Sequence, residues 1–466
     1  MRFDRNSFQP RNRTSEVRYS PVFVVENPPW LLSNGTQFAT VDLPFVHYFI
    51  AQFPSHRFRM FAEFSRPLAQ FLVESSTRND VLQHATVALA ALLASTDPDG
   101  QPEPTQACLC RYLEHKQVLL QLLQRRIKSL DINPSLSAAI AFLLMGEMGE
   151  TRGPHPKVHM HGLKSVLEHL QSTSKQHVLF SDNSGLIWVS LAVAIRLDIA
   201  LAVDGDPILD PVPINSGMEN TQSTWIRRVC QNSSNVSKAV EWGSAIFTLR
   251  LLEHRAFYIA SLARQIRDYS PEQEATIQAQ CSELEVELEL WSQRPIIRTL
   301  NELKPTRLDL KSFLHYEPLE IHDFGAQLLM NEYRMTVLYN SLIAHPEIGP
   351  GFGSKRFSTA VELCRTLVSL SSHPLWRWSS IIGVMCLFQL FLCCLSFGGD
   401  DFYPLESEAA LDMFTALVPE GLGSTPEQIF RSWSTKCPGL SPIITIKGKQ
   451  TCLPGGPPSF CFWNST

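Results

Sequence analysis

Apolar residues in this chain recur three and four positions apart between recognisable helix ends, and period-two alternation is nearly absent. A half-buried strand needs that alternation, whereas a docked helix needs a stripe at three- to four-residue spacing. The chain is therefore predicted to be all-α, a multi-helix array of antiparallel helices. Ser270-Pro-Glu-Gln273 reads as a capping box in which the serine hydroxyl accepts from the Gln273 backbone while the glutamine side chain reaches back. Pro271 sits where a missing amide proton costs nothing. Behind it Ile277, Cys281, Leu284, Leu288 and Trp291 mark one stripe, with glutamates on the other face. Asn133-Pro134 opens a second helix carrying Leu136, Ile140, Leu143, Leu144 and Met148 and ending near Gly149. Further helices are expected at about 80–95, 111–130, 157–171, 184–203, 236–268, 322–344, 355–372 and 375–397.

Pro, Gly and Asp concentrate at 97–104, 204–224, 294–318 and 346–353, which read as loops. Helix lengths are too unequal for a fixed-period solenoid. The expected organisation is an N-terminal arm and irregular lead-in over 1–74, a helical domain over 75–400, and a partly irregular extension over 401–466. At 466 residues and 44% hydrophobic, the chain has ample material for a large core.

A net charge of −5 and a pI near 6.3 give no global field to hold a polyanion. Arg2, Arg5, Arg11, Arg13 and Arg18 form a local basic stretch without apolar period, which reads as a disordered arm. Eleven cysteines, several inside apolar runs such as Cys386, Cys393 and Cys394, read as small buried hydrophobes in a reducing compartment. No apolar segment of signal-peptide type follows the first arginines, so an intracellular protein is expected. Residues 381–397 approach membrane-spanning length, but Gly383 and Gln389 interrupt them and no positive cluster flanks them. They read as a buried core helix, and no membrane partner is expected.

Signals for catalysis are poor. No Gly-x-Ser-x-Gly elbow and no Cys-x-x-Cys occurs, and Gly349-Pro-Gly-Phe-Gly353 lacks both the strand and the lysine of a phosphate loop. The acidic and aromatic residues from Asp400 to Phe414 read as an ordinary helix start. The densest constellation is His155, His159 and His161 with Glu147 and Glu150 upstream, the basis for an alternative reading as a metal-dependent enzyme. Pro156 places the helix start there, which leaves His155 off the face that carries His159. No catalytic residue, metal or cofactor is expected.

Several segments in order resemble the effector domain of fungal zinc-cluster transcription factors, over about residues 75–400. They are Leu82–Ser95, His115–Leu123, Ala141-Phe-Leu-Leu-Met-Gly-Glu147, His159-Met-His-Gly-Leu-Lys-Ser-Val-Leu167, Trp188–Ala202 with Arg196-Leu-Asp198 and then Pro207, and Leu290-Trp-Ser-Gln-Arg-Pro295. The resemblance implies a nuclear transcriptional regulator of a biosynthetic or metabolic gene set. It would act through protein partners of the transcription machinery, and both a small-molecule effector and a homodimer are compatible with it. Its structural signature falls on Glu147, His159, Gly162, Arg196, Asp198, Trp291 and Pro295. Two departures stand out: the six-cysteine zinc cluster is missing from this sequence, and Pro156-Lys-Val replaces the tryptophan often found before the signature histidine. Specific DNA binding is therefore not expected of this chain alone and would come from a zinc cluster outside this sequence or from a partner. Physically, Gly162 is expected to let another element approach the helix backbone closely. Arg196 and Asp198, two apart on one helix, are expected to point apart and lock different neighbours.

Overall fold

The computed structural model describes residues 38–53, 62–95, 102–147, 156–173, 184–203, 205–212, 216–231, 235–265, 270–302, 324–345, 353–371, 380–397, 410–415, 428–429 and 432–433. Of these residues 89% are helical and none lies in a strand. In chain order the helices are α1 (Leu43–Phe53), α2 (Ala62–Ser76), α3 (Asp80–Ser95), α4 (Thr105–Lys128), α5 (Pro134–Glu147), α6 (Pro156–Thr173) and α7 (Ser184–Ala202). They continue as α8 (Ser216–Val229), α9 (Val236–Gln265), α10 (Pro271–Ser292), α11 (Pro295–Glu302), α12 (Phe324–Ala344), α13 (Gly353–Ser371) and α14 (Ser380–Ser396).

Caps set several of the starts. At α10 both arms of the box form: the Gln273 amide donates to Ser270 Oγ at 3.3 Å and the Ser270 amide to Gln273 Oε1 at 3.2 Å. Asn133 Oδ1 accepts from the Leu136 amide at 3.1 Å to open α5, and Asn79 Oδ1 from the Leu82 amide at 3.1 Å at α3. The buried face of α10 consists of Ile277, Cys281, Leu284, Leu288 and Trp291, the stripe read from spacing.

Side-chain pairings give the helix directions. Asp80 meets Arg126 and His84 meets His115, so α3 and α4 run antiparallel. Ala245 meets Trp291 and Arg255 meets Glu283, which turns α10 back along α9. Gln278 with Ala344 and Asn340 with Cys281 do the same for α10 and α12. Arg334 with Glu362 and Ser341 with Arg356 reverse α13 on α12, and Phe357 with Phe397 reverses α14 on α13. Two packed pairs run parallel instead: α7 and α9, where Trp188 lies on Phe247 and Arg196 on Glu253, and α9 and α12, where Arg250 meets Glu332 and Phe257 meets Tyr339.

One continuous apolar core extends from Phe38 to Trp433. The lead-in expected to be irregular contains α1 and α2, both packed into that core. Two stretches read as loops also carry helices: α8 begins at Ser216 and α11 at Pro295. Pro67 inside α2 and the polar sequence of α8 hide these elements from a pattern built on apolar stripes. Close helix approach occurs at Gly243 of α9, where a β-carbon would sit 2.9 Å from Ile226 and from the Phe64 ring.

Described residues 385–397 are buried throughout, and Phe388 and Phe391 pack edge-on against Trp433. Among the described residues the one helix long and apolar enough to cross a membrane by length and composition is instead α7, whose Gly185–Ala202 window is 89% buried inside the protein. The basic N-terminal arm, residues 346–352 of the loop read over 346–353, and the stretch after Gly439 lie outside the described residues.

Candidate functional site

The signature residues other than Gly162 fall in three regions: the packing of α7 on α9, where Asp198 and Arg196 reach different partners, the end of α5, and the corner between α10 and α11. The first starts at Asp198, fully buried on α7. Its carboxylate accepts from the Ile208 amide at 2.8 Å, the Leu209 amide at 2.9 Å and His254 Nε2 at 2.9 Å. A buried carboxylate is tolerated only with such partners, because losing water without them costs far more than a neutral group would. The loop it holds is strapped from two other helices as well. Lys164 of α6 donates to Ile208 O at 3.0 Å, and Asp206 accepts from Ser261 of α9 at 2.7 Å and from Arg264 at 3.0 Å.

Arg196, two residues earlier, points elsewhere. It pairs with Glu253 at 3.4 Å and Glu332 at 3.0 Å, while Arg250 pairs with the same carboxylates at 2.7 and 2.5 Å. Two guanidiniums and two carboxylates thus alternate in a closed lattice joining α7, α9 and α12. For Arg250 burial works against the charge, but Glu332 and Glu253 more than offset it and the guanidinium is held above its ordinary value. Burial lowers Arg196, with neighbouring Arg250 adding to the effect and the two glutamates opposing it; its longer contacts compensate less. Burial also pushes Glu253 up, against the pull of both arginines.

The second assembly lies at the end of α5. Glu147 is 2% exposed, with Lys116 Nζ of α4 at 3.9 Å and His159 Nδ1 of α6 at 3.6 Å. Neither contact reaches hydrogen-bond distance, and Oε2 accepts no hydrogen bond. Burial pushes the Glu147 carboxyl up to about 7 against the opposing charge of Lys116. Burial likewise lowers Lys116, and lowers His159 with help from Lys116. All three groups are displaced towards their neutral forms, burial being the largest cause for each.

Histidines 155–161 do not converge here. His159 faces Glu147, His161 is exposed, and His155 and Glu150 lie outside the described residues. Among the described residues no group of three or more His, Cys, Asp or Glu is arranged to hold a metal ion. Gly162 corrects the expectation of close helix approach: it is exposed, and a β-carbon placed on it would have nothing within 4 Å.

Trp291 and Pro295 form the third assembly, a corner. The indole N–H donates to Ala245 O at 2.7 Å and the ring stacks on Tyr333 at 5.1 Å. Pro295 is the first residue of α11, and the next amide, Ile296, donates to Glu241 at 3.2 Å. Between α10, α12 and α13 lies a cavity of about 140 Å³ lined by Cys281, Ser282, Glu285, Tyr333, Asn340 and Lys355, among others. That is below the roughly 300–1,000 Å³ usual for drug-sized ligands, so an effector held there as it stands would have only a few atoms.

Sequence reading found Arg196, Asp198 and Glu147 but missed their partners Arg250, Glu253, His254, Glu332 and Lys116. For three of these a signal was present: Arg250, Glu253 and His254 interrupt an otherwise apolar run of α9, where a charge needs a buried counterpart. Comparison with known proteins gives no matching family model, no similar curated protein and no similar solved structure.

Proposed function

We propose that this chain is the helical regulatory domain of a transcriptional regulator acting on a biosynthetic or metabolic gene set, in the nucleus and through protein partners of the transcription machinery. The observation that carries the reading is the use made of the signature residues. Arg196, Asp198, Trp291 and Pro295 tie helices and a loop to one another and do not gather around one solvent-open pocket. Residues spent on internal geometry suit a scaffold that presents surfaces to other proteins. The ordered resemblance from Leu82 to Pro295 supplies the transcriptional part of the reading, and sequence recognition falls to a zinc cluster or partner outside this sequence.

The test is to tether the full chain to an unrelated sequence-specific DNA-binding module upstream of a reporter gene in a fungal cell. Reporter output should rise or fall at least severalfold against the module alone. An unchanged reporter, with the fusion shown by immunoblot and microscopy to be intact and nuclear, would refute the proposal.

A further inference from the structure

An amphipathic helix docked on one body needs one apolar stripe, and α4 carries two. The first, Cys108, Tyr112, His115, Leu119 and Leu123, is buried, and His115 lies against His84 of α3. The second consists of Leu113, Leu120 and Ile127, seven residues apart, and it faces solvent at 59%, 40% and 47% exposure. Among the described residues nine large apolar side chains are exposed, and five of them, Leu113, Val118, Leu120, Ile127 and Leu130, belong to α4 and its C-terminal cap. Leu130 adds a second anomaly. It is 79% exposed and sits at φ 55°, a left-handed conformation that disfavours a bulky side chain and normally falls to glycine.

Apolar residues seven apart fall along one line of a helix, the spacing at which one of the two seam positions recurs when helices pack along each other. Exposed Gln117 and Gln124 lie between the apolar positions, in the place where polar residues fix the register of such a pair. Charge selects the partner. Along one flank of the seam, again seven apart, stand Glu114, Gln121 and Lys128, all exposed. This series is complementary to itself read backwards. A two-fold axis near Gln121 brings Glu114 opposite Lys128 of the partner subunit and Leu113 opposite Ile127 of the partner subunit, with Leu120 meeting its own equivalent. A parallel pair would leave the two copies of this series on opposite sides of the seam, so that Glu114 and Lys128 could not meet across it. We therefore propose that α4 is a homodimerisation helix, pairing antiparallel with α4 of a second copy of this chain through Leu113, Leu120 and Ile127. The symmetry is the isologous two-fold commonest among soluble oligomers.

The experiment is sedimentation equilibrium on the full chain and surface variants. The wild type should show twice the 52.5 kDa chain mass at tens of micromolar. Leu120→Asp places two carboxylates at the axis and should weaken association by about a hundredfold, with circular dichroism and thermal midpoint unchanged. Glu114→Lys and Lys128→Glu should each weaken the dimer, and the two together should restore it, because only the antiparallel pairing exchanges those partners. The charge pair keeps the test decisive if the aspartate variant proves unstable. A wild type that stays monomeric would overturn the proposal and leave the seam to a helix of another protein. So would a dimer indifferent to Leu120→Asp, or a double charge swap that fails to recover association.

Discussion

Replacing Glu147 with glutamine keeps the shape of the side chain and removes its charge, so it isolates a buried carboxyl whose Oε2 accepts no hydrogen bond. Its ordinary value is 4.5 and burial raises it to about 7 in the folded chain. Between those values the folded state holds a proton that the unfolded state has released. Stability therefore falls as pH rises through this window, opposite to the usual ion-paired carboxylate. The contribution is full below about 4.5 and absent above about 7. At 1.36 kcal/mol per pH unit the interval is worth roughly 3 kcal/mol. Lys116, 3.9 Å away, loses its counter-charge in the variant, so the expected gain at pH 8 is about 1–3 kcal/mol. His159 slopes the other way: burial and Lys116 lower it, so the folded chain loses stability as pH falls below 6.5. Comparing wild type with Glu147→Gln at each pH largely subtracts that slope. Urea denaturation followed by circular dichroism should find the variant more stable at pH 8 and nearly equal to wild type at pH 5. A variant less stable than wild type at pH 8, or one with an unchanged advantage at both pH values, would refute the reasoning.

Asp198→Ala should cost about 3–5 kcal/mol, because it strands His254 and two backbone amides without their acceptor. Hydrogen exchange should show Ile208 and Leu209 released first, and a loss under about 1 kcal/mol would count against a locking role. Gly162→Ala should stabilise by about 0.5–1 kcal/mol through helix propensity alone, whereas Gly243→Ala should destabilise by about 1–3 kcal/mol through overpacking. Thermal midpoints moving the same way in both would contradict the packing described. Trp291→Phe should cost about 1–3 kcal/mol, since it removes the indole hydrogen bond to the Ala245 carbonyl as well as trimming the core. In competition binding at about 150 mM salt the chain alone should show no preferred DNA site, and a preference of roughly 10³-fold would reveal a missed reader.

What the sequence makes legible is what is local. The α10 box, the Asn133 cap and the stripe from Ile277 to Trp291 are set by neighbours within one or two turns, and they appear where spacing puts them. The divergence of Arg196 and Asp198 follows from helix geometry alone, since two residues turn the axis by about 200°. Their partners do not follow, because Glu253, His254 and Glu332 are brought in by packing of distant helices. Gly162 shows the same limit: a glycine reveals that close approach is allowed, not that anything approaches, and the crowded positions prove to be Gly185, against Trp225 and Phe71, and Gly243. The missed helices had weaker local marks, namely Pro44 near the start of α1, Ser216-Gly-Met-Glu219 at α8 and Pro295 at α11, each set against breaker-rich or polar surroundings.

The lattice of Arg196, Arg250, Glu253 and Glu332 raises the question of why a large apolar core retains four charges. Buried ion pairs are poor stabilisers, since well-packed apolar residues of similar volume often do as well or better. Their effect lies in what they forbid. Apolar stripes on α7, α9 and α12 are chemically alike from one turn to the next, so hydrophobic burial alone discriminates weakly between the native register and a slip of one turn. A slipped α7 would leave Arg196 without carboxylates and Glu253 and Glu332 with one guanidinium between them. It would also pull Asp198 away from His254 and the 208–209 amides on the same helix. Breaking a buried pair costs about 3–5 kcal/mol, so intermediate positions are strongly disfavoured. Because both sets of partners are engaged from within one turn of α7, they release together. An input that displaced this helix would meet a threshold rather than a graded response, the behaviour of packed interfaces that have two arrangements and nothing stable between them.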